Sequence, residues 1–319
     1  MKIHRFTLFA LHALLISAFA FAETPKHAAQ TPGRVAYRTA TVDGLNIFYR
    51  EAGSADAPAI VLLHGFPASS HMYRNLIPQL ATRYHVIAPD YPGFGYSDAP
   101  VPDQFDYTFD HLAVIVDHFL EQRGIAKYSI YIQDYGSPIG FRLATAHPER
   151  IQTIITQNGN AYEEGLSPFW GEFLKPFWNN RNAATEDKVR GLLALSTTKY
   201  QYLQGTRSPE DISPDAYTLD QSLLDRPGNA AIQLALFYDY RTNLPLYPKW
   251  HRYLREKQPP VLAVWGKNDP IFLSAGAEAF LRDDTKTELH LLDTGHFALE
   301  EDGDQIAPLI LDFLGRHVR

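Results

Sequence analysis

Asp134, Asp269 and His296 have the residue types and the chain order that covalent hydrolysis at a saturated carbon requires. Asp134 stands in Gln133-Asp134-Tyr135-Gly136, directly after an apolar stretch from Tyr128 to Ile132, and a helix is predicted to start near Pro138. A serine at such a bend would form an acyl-enzyme from an ester or amide. A carboxylate there suits attack on a carbon that carries a leaving group, such as an epoxide or a carbon–halogen bond. Asp269 follows the apolar run 260–265 in Asn268-Asp269-Pro270, and His296 follows 288–292 in Thr294-Gly295-His296. A lone loop Asp or His is usually a turn former or a surface group. Three of them in the order nucleophile, acid, histidine, each beyond a strand end, carry the reading jointly.

Those side chains need a scaffold that brings distant strand ends together. Strand-like and helix-like stretches alternate from about residue 36 onward. Residues 35–42 and 45–51 read as a hairpin across Asp43-Gly44, and 59–63 is a short apolar run ending in His64-Gly65-Phe66-Pro67. Residues 72–84 have helical spacing, 85–90 return to strand, and 109–123 place Leu112, Ile115, Val116, Phe119 and Leu120 on one helix face. The alternation stops between residues 159 and 258, a stretch rich in Trp, Tyr, Phe, Asn and Asp. It resumes with strand 260–265, helix 274–281, strand 288–292 and a last helix predicted from Gln305 to about Arg316. The pattern implies an α/β fold: a doubly wound, mostly parallel sheet formed by 36–158 and 259–319, with 159–258 inserted as a helical cap.

The chain has 319 residues, 45% hydrophobic and 20% charged, which is long enough for one large core. A net charge of −7 without acidic or basic blocks makes nucleic acid and anionic membrane surfaces poor partners. There are no cysteines, which removes disulfides, thiolate metal sites and cysteine nucleophiles together. Lys2 and Arg5 precede an apolar stretch that ends at Ala20-Phe21-Ala22, the layout of a secretory signal peptide over residues 1–22. The apolar stretch falls short of the roughly 20 residues needed to span a bilayer. Export to the periplasm or beyond, cleavage after Ala22, a loose leader over 23–35 and no lasting membrane anchor are the expectations.

From about residue 36 to the end, the chain resembles an α/β-hydrolase of the branch that includes epoxide hydrolases and haloalkane dehalogenases. The segments that carry the resemblance are His64-Gly65-Phe66-Pro67, Asp90-Tyr91-Pro92-Gly93-Phe94-Gly95, Gln133-Asp134-Tyr135-Gly136, Asn268-Asp269 and Gly295-His296. It implies that Asp134 attacks the substrate carbon to form an alkyl ester. His296, oriented by Asp269, then activates water against that ester, and the backbone N–H groups of Phe66 and Tyr135 hold the oxyanion. It also implies a cis Phe66–Pro67 bond and no metal or organic cofactor; the partners are an apolar small molecule and water. Gly95-Tyr96-Ser97-Asp98-Ala99 imitates a serine elbow, but it follows a loop and leads into prolines, so Ser97 reads as a loop residue. Ile132 departs from the pattern: the residue two before the nucleophile is usually small, and Ile is expected to crowd the bend.

The leaving group is less legible. Within the resemblance, epoxide opening needs a cap tyrosine as acid, and Tyr240 in Phe237-Tyr238-Asp239-Tyr240-Arg241 matches it. The plainer reading of Tyr240 is a core tyrosine. The first cap acid has no match in the helix around residues 167–178; Tyr162 is a substitute, while Trp170 or Trp178 could donate to a halide. These three residues are the expected pocket walls. Tyr135 and Phe66 both depart from the residues common in haloalkane dehalogenases, and no arginine follows the nucleophile as in fluoroacetate dehalogenases. Epoxide hydrolysis is therefore the expectation. The alternatives are haloalkane or haloacid dehalogenation, an esterase, and a catalytically silent small-molecule or partner-binding scaffold.

Overall fold

The computed structural model describes residues 34–318, so the expected export signal and the leader up to residue 33 lie outside the described residues. Eight strands form one sheet: β1 (Ala36–Val42), β2 (Leu45–Ala52), β3 (Ala59–Leu63), β4 (His85–Pro89), β5 (Tyr128–Ile132), β6 (Ile151–Gln157), β7 (Val261–Gly266) and β8 (Glu288–Leu292). Their order is β1-β2-β4-β3-β5-β6-β7-β8. β2 pairs antiparallel with β1 and β4, and every pairing from β4 to β8 is parallel. Asp43 and Gly44 both take positive φ, as a tight two-residue hairpin turn requires. β3, β4, β5 and β7 are buried along their whole length, which explains why their sequences are apolar apart from His85 and Ser129.

The helices are α1 (Leu76–Leu80), α2 (Phe109–Gln122), α3 (Gly136–Ala146), α4 (Lys175–Asn179), α5 (Ala183–Arg190), α6 (Leu195–Leu203), α7 (Pro214–Leu224), α8 (Asn229–Asp239), α9 (Tyr247–Lys257), α10 (Ser274–Asp283) and α11 (Ala298–His317). One apolar cluster packs α2, α3 and α10 against the sheet, and a second joins α1 and α11 to it. α4 to α9 form the insertion between β6 and β7. Its Trp170, Leu192 and Phe237 join the first cluster, while Tyr202, Ile212 and Ala216 join the second. The end of the insertion flanks the core: α9 packs on α3 and α10, and Trp250 stacks on Phe141 with ring centroids 5.2 Å apart.

Two helix boundaries differ from expectation for local reasons. Residues 72–84 form a 3-10 turn (Ser70–Tyr73) and then α1, not one helix. Pro78 fits only the first turn of a helix, so α1 starts just before it. The last helix begins at Ala298 instead of Gln305, with a break at Asp302 (φ −113°, ψ 19°). Its acidic Glu300 and Glu301 read as loop in sequence, yet negative charge is favourable in a first turn.

Strand order reverses between β3 and β5, the place where an open parallel sheet leaves a crevice at its carboxyl edge. Phe66 follows β3 and Asp134 follows β5, so both fall into that crevice.

Candidate active site

Asp134 occupies the bend between β5 and α3 with φ of 48°, a conformation that side chains other than Gly seldom adopt. Its carboxylate stands at the N-terminal end of α3, where unpaired backbone N–H groups and the helix dipole favour negative charge. Oδ1 accepts from the backbone N–H groups of Phe66 and Tyr135, each at 2.7 Å. The bend is tight enough to dictate its neighbours. A Cβ on Gly65 would come within 2.2 Å of the Asp134 Cβ, and one on Gly136 within 2.0 Å of the Leu63 carbonyl oxygen. The Phe66–Pro67 peptide bond is cis.

His296 is fully buried, with Nδ1 donating to Asp269 Oδ2 at 2.8 Å and Nε2 standing 3.9 Å from Asp134 Oδ2. Asp269 is itself held. Its Oδ1 accepts from the Ile271 N–H at 2.7 Å, and its Oδ2 accepts from Asn158 Nδ2 at 2.7 Å. The structure thus brings together Asp134, Asp269, His296, Phe66 and Tyr135 at one sheet edge.

Burial drives the electrostatics. Desolvation pushes the Asp134 carboxyl from 3.8 up to about 6, against the lowering effects of His296 and the two backbone donors. For His296, burial is the largest single effect and favours the neutral ring. The charge and hydrogen bond of Asp269, with the charge of Asp134, together outweigh it and raise the pKa. Above about pH 6 the carboxylate is therefore ionised beside a histidine with raised proton affinity.

A cavity of about 50 Å³ lies over Asp134, walled by Phe66, Tyr135, Trp170 and Phe237 among other apolar groups. Through Phe169, Leu192, Thr197 and Tyr200 it borders an open basin of about 520 Å³. Trp170 begins a π-helical turn, Trp170–Leu174, which forms part of the inner wall.

The remaining sequence candidates fall in different places. Trp170 is on the cavity wall, but its indole N–H donates to the Ile271 carbonyl at 3.0 Å; Trp178 donates to the Phe237 carbonyl at 2.7 Å. The idea that either indole N–H is free for a halide is corrected: backbone carbonyls of the same buried region hold both. Trp178 is not among the cavity-lining residues and stacks on Tyr240 with centroids 6.2 Å apart. Tyr162 is also absent from the lining; its ring stacks on His251 at 4.2 Å, beside α9 and α10, which corrects its placement as a pocket wall. Tyr240 sits one layer behind the lining, against Trp170 (4.4 Å) and Tyr135 (5.9 Å), with Tyr247 beside its hydroxyl. Ser97 is a loop residue: its hydroxyl donates to the Asp90 carbonyl and accepts from the Phe48 N–H. Ile132 does not crowd the bend, because Gly140 on α3 makes room for it. A Cβ on Gly140 would meet Ile132 Cγ2 at 2.5 Å.

The sequence reading missed Gln133, Gln157 and Asn158. Gln133 Nε2 is 2.9 Å from His296 Nε2, and Gln157 Nε2 donates to the His296 carbonyl at 2.9 Å. A signal was available for two of them: Gln157-Asn158 closes β6 with polar residues at the same sheet edge as the triad.

The description "alpha/beta hydrolase fold" belongs to a family model that matches residues 58–303. An uncharacterized hydrolase, YNR064C, of Saccharomyces cerevisiae is 46% identical over 279 residues, covering 86% of this chain and 95% of that protein. A haloalkane dehalogenase of Psychrobacter cryohalolentis is 27% identical, covering 85% and 88%. Among solved structures, Cfl2 from Burkholderia cenocepacia superposes with a TM-score of 0.73 at 24% identity, covering 88% and 95%. The epoxide hydrolase CorEH superposes with 0.71 at 22% identity, covering 89% and 99%. With the family model spanning most of the chain, this protein belongs to the α/β-hydrolase fold family and is a hydrolase.

Proposed function

We propose that the protein opens an epoxide to a diol through a covalent ester on Asp134. One observation carries the reading: a buried carboxylate at the elbow, with one oxygen held by two backbone donors and the other free toward His296. Asp134 Oδ2 forms a bond to an epoxide carbon, and the carbon–oxygen bond of the ring breaks. The ring oxygen takes a proton and becomes one hydroxyl. Water then gives a proton to His296 Nε2 and adds to Asp134 Cγ. The oxyanion develops on Oδ1, which already sits between the Phe66 and Tyr135 N–H groups, so no donor has to move. Collapse of this intermediate breaks the Cγ–Oδ2 bond; the leaving alkoxide takes the proton from His296 and becomes the second hydroxyl, and the proton left on the Asp134 acid returns to the group that protonated the ring oxygen.

Tyr240 is the acid that this reading assigns. Its ring packs on two cavity walls, Tyr135 and Trp170. The charge of Asp134 reaches it, and Tyr247 beside its hydroxyl links it to Asn160, whose Nδ2 donates to the Tyr247 oxygen at 3.4 Å. The commitment of both indole N–H groups to backbone carbonyls favours an oxygen leaving group over a halide. The small cavity and wide basin suit a substrate with a narrow reactive end and an apolar arm. Export remains part of the proposal, on the strength of residues 1–22.

Parallel incubation of the protein and its His296→Gln variant with a terminal epoxide and a 1-bromoalkane tests the reading. The wild type is expected to release diol, and the variant to gain the mass of the epoxide on the Asp134 peptide. Faster bromide release than diol formation would assign the chain to dehalogenation instead.

A further inference from the structure

We infer that Gln133 is a positioning residue for the second half of this reaction, holding the hydrolytic water against His296. The inference rests on the covalent reading above. Gln133 is completely buried, and its backbone is pinned on both sides of the elbow: its N–H donates to the Leu63 carbonyl at 3.1 Å, and its carbonyl accepts from the Gly136 N–H at 2.7 Å. Its Cα is therefore fixed beside the triad.

The amide engages the one atom the mechanism needs. His296 Nδ1 donates to Asp269, which leaves Nε2 with a lone pair, and Gln133 Nε2 lies 2.9 Å from it. An amide N–H in that position selects the neutral ring with its proton on Nδ1, the form that can act as base. The other end of the amide, Gln133 Oε1, is buried and has no protein partner. A buried acceptor is costly to leave without a donor.

The chemistry supplies the use. A water attacking Asp134 Cγ has two O–H groups. One takes the place of the Gln133 N–H at the His296 Nε2 lone pair and delivers its proton there; the other needs an acceptor, and the alkylated Asp134 offers no carboxylate. Gln133 Oε1 is the unpaired acceptor next to the base. After proton transfer the imidazolium carries an N–H at Nε2, and a half-turn of the same amide presents oxygen to it. Gln133 thus serves both protonation states of His296 and takes no part in the attack on substrate.

Rapid-quench mass spectrometry of Gln133→Leu and Gln133→Met with a terminal epoxide separates the two steps. Ester formation is expected to stay within about threefold of wild type, while ester hydrolysis slows at least about tenfold and the alkylated protein accumulates. Gln133→Glu should shift the pH profile of hydrolysis upward, because a carboxylate beside His296 raises its pKa further. Equal slowing of both steps, or no slowing of hydrolysis in variants that melt like wild type, would overturn the role. His296→Gln is the control: if it accumulates no adduct with the same epoxide, the covalent reading has failed, independently of Gln133.

Discussion

Asp134 and Asp220 are two buried aspartates in different regions, and their difference shows what makes one of them chemical. Both are nearly inaccessible, 5% and 1% exposed. Asp134, at the sheet edge, is surrounded by two backbone N–H donors and a histidine, which limit the effect of burial and leave its pKa at about 6. Asp220 lies on α7, within the insertion. Its Oδ2 accepts from the Tyr202 hydroxyl at 2.5 Å, its Oδ1 has no partner, and burial pushes its pKa to about 8. Tyr202 in turn stacks on Phe297, the neighbour of His296, at 3.9 Å. At neutral pH one aspartate is an anion, the form that the proposed attack requires, and the other is a neutral acid that joins α6 and α7 above α11. Burial is common to both; the donors decide the role.

The largest effect that would sharpen this contrast is on turnover. Asp134→Asn and Asp134→Ala should each lower kcat by about 10⁴-fold or more, as loss of a nucleophile does elsewhere. Asp220→Asn should leave kcat within a few-fold. Comparable losses at both sites in a steady-state assay would erase the distinction.

The paired tyrosines come next. Tyr240→Phe should slow epoxide opening by about 10²-fold with the melting temperature nearly unchanged. Unchanged single-turnover kinetics would remove Tyr240 from the acid role.

A smaller effect concerns pH and stability. Unfolded, Asp220 titrates near 3.8; folded, it titrates near 8. Below pH 3.8 both states hold the proton, so burial carries no penalty. Between these values the folded state keeps a proton that the unfolded state has lost, so stability falls as pH rises, by at most about 1.4 kcal/mol per pH unit. Above 8 the penalty is constant. The stability gained by Asp220→Asn, which mimics the neutral acid, should therefore grow from pH 4 to pH 8 and then level off. A gain independent of pH in denaturant titrations would show that Asp220 is not the neutral partner. Tyr202→Phe, which deletes only the bond to Asp220, is expected to cost about 1–2 kcal/mol at pH 7 and to leave kcat unchanged.

These two regions also mark where the sequence could be read. The order of Asp134, Asp269 and His296 along the chain, each after an apolar strand, was enough to place the triad, because parallel strands must deliver their carboxyl ends to one edge. The hairpin at Asp43-Gly44 was legible from turn chemistry alone. What sequence spacing could not show was which distant groups meet. Gly140 makes room for Ile132 from the next helix. The indole donors of Trp170 and Trp178 are spent on carbonyls of Ile271 and Phe237, and Gln133 reaches a histidine on the far side of the insertion. Asp220 and Tyr202 drew no reading from the sequence; both are buried in the folded insertion, with Tyr202 stacked on Phe297. Contacts of this kind depend on tertiary packing, which periodicity does not encode.

The central claim, that Asp134 is alkylated and then hydrolysed, is tested most directly by a single turnover of a terminal epoxide in ¹⁸O-water with enzyme in excess. The account predicts that the Asp134 peptide gains one heavy oxygen and that the first diol carries none. A diol that takes up the label while Asp134 stays light would contradict it, because water would then have attacked the substrate directly.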